Sequence, residues 1–159
     1  MSAPVSFSQF QNALAEASSS TVGLWREALL ARFDAMDREV AACLAAILPA
    51  DAFSPAEEPW QRRTRLRKAL AHVACASVRG RALALLAAIA DDNRLYTGLC
   101  HGKAVETGKG IALVWTQWAD TGLRHERLAL RWLEVLEALV RIDRLHGDFV
   151  AVAKAIRAA

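Results

Sequence analysis

Glycine and proline are scarce in this chain, at eight and four of 159 residues, and aromatic side chains make up only 7%. That scarcity argues against a turn-rich chain of short strands and for a helical one. Cysteine is scarcer still. Cys43, Cys75 and Cys100 are odd in number, widely spaced and set in apolar helical contexts. The absence of CxxC and of Cys/His ligand spacing argues against a disulfide framework and a structural zinc, and buried reduced thiols in a cytoplasmic protein are expected. No apolar run reaches the roughly 18 residues of a membrane-spanning helix. No basic stretch precedes an apolar segment at the start, so no secretory leader is expected. The glycines at 108 and 110 fit neither GxxxxGK[ST] nor GxGxxG, so no nucleotide loop and no cofactor are expected. Excess charge is small too: the formal net charge is +3 and the pI about 9.0, which does not by itself imply nucleic acid.

Apolar residues are abundant, at 54% and mostly Ala and Leu, the composition of packed helices. The length suits one domain with a single core. The fold expected is all-α: an up-down bundle of four to five main helices, with a small β-hairpin at 103–118 between the last two long helices and a loosely attached segment at 1–20. Phe7, Phe10 and Leu14 predict a short helix from about Ser6 to Ala17. Leu29, Phe33, Met36, Val40, Cys43 and Ile47 repeat at four- and three-residue intervals and predict a helix over Val22 to Leu48, ended by Pro49. Ser54-Pro55 with Glu57 and Glu58 reads as the start of another helix, continuing to about Ala74. Ser77 to Cys100 reads as one central helix or a pair, with Asp91-Asp92-Asn93 marking either a kink or simply the helix emerging from the core. Gly98 costs about 1 kcal/mol inside a helix and marks close backbone approach or an irregular turn. Ile111 to Trp118 reads as a strand, on which Trp115 and Trp118 face opposite sides, one buried and one at an interface. Leu123 to His146 is predicted as the last long helix, with Leu128, Trp132, Leu133, Leu136, Leu139 and Val140 inward. Gly147 ends it, and Asp148 caps a short final helix.

Two groups of residues carry candidate chemistry. Arg94 and His101 are seven apart, so on a helix they project from one stripe about 10 Å apart along the axis. Gly102 stands where a C′ glycine would, which puts His101 on an accessible last turn. A guanidinium that steadies negative charge and an imidazole that moves a proton suit acid/base chemistry at a phosphodiester. The alternative is two solvated polar side chains at a helix end. Arg141 and His146, five apart, diverge by roughly 140° and do not pair. The second group is Arg62, Arg63, Arg65, Arg67 and Lys68, five cations in seven positions behind Trp60. It reads either as a solvated helix face or as a phosphate-binding strip with a stacking surface. DNA binding through this basic helix is a third reading, and it predicts affinity that falls steeply with salt.

A long helix bearing Arg94, six residues, then His101-Gly102 after Leu99-Cys100, a short hairpin and a long last helix resembles the HEPN superfamily, whose motif is an Arg, four to six residues and a His. The likeness in layout covers about Val22 to His146. It implies a metal-independent endoribonuclease that works as a homodimer. Arg94 would hold the scissile phosphate, and His101 would assist attack of the 2′-hydroxyl or protonate the leaving oxygen. The basic strip and Asn93 would bind RNA. It also implies a toxin–antitoxin or phage-defence setting, with an antitoxin or nucleotidyltransferase as partner. The family usually has a polar residue, often Asn, directly after the Arg. Here Leu95 follows and Asn93 precedes, which leaves a non-catalytic interaction or RNA-binding module of the same type as the alternative.

Overall fold

The computed structural model describes residues 19–49 and 57–158. The expected helix at 6–17 and the Ser54-Pro55 start lie outside them. Helix α1 spans Ser19–Ile47, α2 spans Pro59–Ala69 and a 3-10 turn covers Leu70–His72. Helix α3 is Ala76–Asp91 and α4 is Asn93–His101, so the central segment breaks within the polar Asp91-Asp92-Asn93 triplet. Strands β1 (Lys103–Thr107), β2 (Gly110–Ala119) and β3 (Gly122–Arg131) follow, and α5 (Trp132–Arg157) closes the order.

The all-α expectation is therefore corrected. The three strands form an antiparallel sheet in the order β1-β2-β3, and the chain is mixed, with helices dominant. Leu123 to Arg131, expected to open the last helix, instead belong with Gly122 to a strand that pairs along the whole of β2, from Ala119↔Gly122 to Gly110↔Arg131. The reversal is tight, because only Asp120 and Thr121 lie between the paired ends and Gly122 takes φ +111°, a conformation that glycine adopts without a steric penalty. Helix α5 starts only afterwards. The Glu134 carboxylate accepts the Arg131 N–H at 2.7 Å, the N3-to-N-cap half of a capping box. That bond, helped by the Arg131 guanidinium, holds the Glu134 carboxyl below its ordinary range.

Once begun, α5 runs through Gly147 without a break, so no separate final helix exists. Its inward face is Val135, Ala138, Leu139, Ile142, Leu145 and Phe149. Leu133 and Val140, expected inside, are 66% and 49% exposed. At the start of α2, Glu58 and Gln61 form a reciprocal capping box ahead of Pro59.

Two compact units divide the described residues: 19–32 with 92–143, and 33–49 and 57–91 with 144–158. In the first, Trp25 and Leu29 of α1 are fully buried, and the Trp25 indole N–H donates to the Val135 carbonyl at 3.1 Å. In the second, Phe33, Met36, Val40, Cys43 and Phe149 form much of the core. Burying such side chains contributes about 1.5–3 kcal/mol each. No helix among the described residues is long and apolar enough to cross a membrane.

Candidate functional site

Helix α4 lies across one face of the sheet in the first unit. Leu95, Gly98 and Leu99 are its buried side, and they meet the face of β2 formed by Ile111, Leu113 and Trp115. Gly98 gives this packing its room, and a side chain there would make its neighbours give by a few tenths of an ångström. A Cβ at that position would stand 3.0 Å from the Trp115 ring and 3.1 Å from Leu113. Trp115 is 4% exposed and Trp118 79%, the opposed orientation that their spacing implies.

The ends of α4 are held by neighbours. Arg141 grips the Asp92 carboxylate with two nitrogens, at 2.5 and 3.3 Å, and so ties the start of α4 to α5. At the other end, Arg26 of α1 reaches the Cys100 carbonyl at 3.5 Å, one of the acceptors that a helix terminus leaves free. Gly102 is not the left-handed cap expected from the sequence: its backbone is extended, φ −86° and ψ 155°. The glycine is needed for space, since a Cβ would press on the Gly98 carbonyl oxygen.

Arg94 stands on the first turn of α4. Its guanidinium donates to the Arg127 carbonyl at 3.1 Å and to Glu126 at 3.3 Å, both on β3, while its side chain stays 60% exposed. An exposed pair of this kind contributes about 0–1 kcal/mol, so the contact with Glu126 holds Arg94 only weakly. His101 is exposed on the last turn of α4 and makes no hydrogen bond among the described residues. The chain passes from His101 through Gly102 into β1. The helix thus crosses from β3 over β2 to β1, about 10 Å across two strand spacings. Within one chain, Arg94 and His101 share a helix but occupy opposite margins of the sheet, with the guanidinium drawn to β3. Asn93, the first residue of α4, is exposed beside Arg94.

The basic strip falls in the second unit and is not a uniform cationic face. Arg63 is buried and pairs with Asp37 at 3.3 Å, and Arg65 pairs with Glu57. Arg62 is half-buried, and of the strip's five cations only Arg67 and Lys68 are exposed. Trp60 is 60% exposed at the start of α2. Burial pushes the Asp37 carboxyl above its ordinary range, against the pull of Arg63 and Arg62. Among the described residues, no group of three or more His, Cys, Asp or Glu is placed to hold a metal ion.

Sequence reasoning missed the cations of the open sheet face, Lys103, Arg127 and Arg131. For Arg127 and Arg131 the sequence carried no strand signal: 124–127 are all polar and 128–130 all apolar, with no period-two alternation to mark a sheet face. No protein-family model matches the chain, and neither the curated proteins nor the solved structures include a match.

Proposed function

We propose that this chain acts on RNA as a metal-independent endoribonuclease, with His101 as the proton-transfer group and Arg94 as the phosphate-binding group. The observation that carries the reading is His101: an exposed imidazole at the end of α4, unpartnered among the described residues, on the same nine-residue helix as an exposed guanidinium. In the reaction, the RNA 2′-oxygen bonds to phosphorus and the bond to the 5′-oxygen breaks, leaving a 2′,3′-cyclic phosphate and a 5′-hydroxyl. His101 takes the 2′-hydroxyl proton or supplies one to the departing oxygen, and Arg94 neutralises charge on the phosphoryl oxygens. Because the two groups stand at opposite margins of the sheet in one chain, the reading calls for a homodimer in which the Arg94 of one copy and the His101 of the other share a phosphate. A cytoplasmic toxin–antitoxin or defence setting, with an antitoxin or nucleotidyltransferase partner, belongs to the same proposal.

The experiment is cleavage of a labelled RNA in the presence of a chelator. His101→Ala is expected to slow it by about 100-fold or more, the usual contribution of a proton-transfer group. A wild-type protein that cuts nothing, or a variant that cuts as fast, sinks the reading.

One observation favours a second reading, a non-catalytic RNA-binding module. Glu126 and the Arg127 carbonyl already satisfy part of the Arg94 guanidinium, as they would if Arg94 pinned α4 to β3. RNA binding without cleavage, together with loss of thermal stability in Arg94→Ala, is its signature.

A further inference from the structure

The face of the sheet turned away from α4 carries a distinctive set of side chains. Strand alternation and the pairing register place Lys103 opposite Val114 and Val114 opposite Arg127, with Thr116 opposite His125 and Trp118 opposite Leu123. All of these are exposed, and Trp118 at 79% and Leu123 at 59% are among the most exposed large apolar side chains. Arg131 extends the same row on β3 and is 80% exposed. Among the described residues, no carboxylate stands on this face. Glu106 and Glu126 alternate to the α4 side, paired opposite Ile111 and Trp115. At the rim, Glu134 lies 3.6 Å from Arg131. Lys103, Lys109 and Arg127 make no ion pair among the described residues.

One end of the face is hollowed into a pocket of about 400 Å³. Lys109, Arg127 and Arg131 line it with Thr107 and Ala129. Beside it, Gly110 lets β2 and β3 come close, since a Cβ there would collide with the Leu130 carbonyl oxygen. The face therefore pairs a cationic pocket at one end with an exposed indole at the other. Seven residues along β2, from Ile111 in the pocket lining to Trp118, separate them, about 23 Å.

We propose that this open sheet face binds single-stranded RNA, with Lys103, Lys109, Arg127 and Arg131 on the phosphates and Trp118 stacked on an unpaired base. Charge complementarity selects the ligand. A polyanion meets a surface of one sign, and a flat row of strands with an accessible aromatic ring suits bases that have left a duplex. A second copy of this chain fits poorly, because two-fold self-association would set like charges against each other. The site is separate from Arg94 and His101, which lie on α4 on the other side of the sheet, and it stands whether or not they are catalytic. If they are, it makes the substrate an unpaired strand.

The test is fluorescence anisotropy with a labelled oligouridylate of about 12 nucleotides, 2′-O-methylated so that it cannot be cut. Failure of cleavage chemistry then cannot be mistaken for failure of binding. Wild type is expected to bind with an affinity that falls as salt rises. The triple variant Lys103→Gln/Arg127→Gln/Arg131→Gln is expected to lose at least tenfold in affinity and to lower the slope of log affinity against log salt by about 2, at ~0.7 per phosphate contact. Trp118→Ala is expected to lose about tenfold, as loss of one stacked base implies, with the slope unchanged. The substituted side chains are exposed, and matching melting curves confirm the fold. A duplex of equal length is expected to bind more weakly at the same salt. Absence of binding at 50 mM salt, variants that bind like wild type, or binding to phosphatidylglycerol vesicles with none to the oligonucleotide would each overturn the proposal.

Discussion

Burial sets the chemistry of the cysteines in opposite directions. Cys43 is wholly enclosed, its Sγ 3.9 Å from the Ala153 carbonyl, and burial pushes its thiol up to about 11. Cys75 is exposed, and hydrogen bonds from the Ser77 hydroxyl and from nearby backbone groups hold its thiol below the ordinary value. Since the thiolate is the nucleophile, iodoacetamide at neutral pH is expected to label Cys75 first and Cys43 only on unfolding. Peptide mapping that finds Cys43 modified in the folded protein would contradict this. Asp37 makes a pH prediction. Its folded carboxyl binds a proton more tightly than the unfolded one, so its contribution to stability is full below the unfolded value and is lost as pH rises through the raised folded value. Relative to wild type, Asp37→Asn should therefore gain urea resistance as pH rises above 3.8. A wild-type-minus-variant difference that stays constant with pH would refute the sign.

At the scale of elements, some of the fold was legible and some was not, for identifiable reasons. The α1 seam, the break before Asn93 and the opposed tryptophans follow from spacing alone. Gly98 was marked as an oddity, and the structure supplies its cause in Trp115 and Leu113. Strand β3 was not legible. Leu123 to Arg131 contains no β-branched residue and reads as good helix former throughout. Its strand state comes from pairing with β2, a tertiary effect that overrides local propensity. Reading that stretch as helix also displaced the inward face of α5, which is why Leu133 and Val140 were placed inside. Gly147 was read as a stop, but it sits in an unbroken helix with open space where a Cβ would go. Gly147→Ala is therefore expected to stabilise the protein by about 0.5–1 kcal/mol. A melting temperature that falls would mean that the helix does end there.

For the whole molecule, a modest net charge of +3 conceals uneven placement. In the second unit, cations of the strip are spent on carboxylates, Arg63 on Asp37 and Arg65 on Glu57. In the first unit, the open sheet face keeps Lys103, Lys109 and Arg127 uncompensated among the described residues. The sequence located Arg94 and His101 on one helix, but it held no information on where that helix crosses the sheet. The separation of the pair to opposite margins therefore appeared only with the strands in place. The most direct measurement is the rate at which the chelated wild-type protein cuts single-stranded RNA, beside His101→Ala and Arg94→Ala, with the new ends identified. The account predicts 2′,3′-cyclic phosphate ends from wild type and a loss of roughly 100-fold or more in each variant. Intact RNA with wild type, or unchanged cutting in His101→Ala, would contradict it.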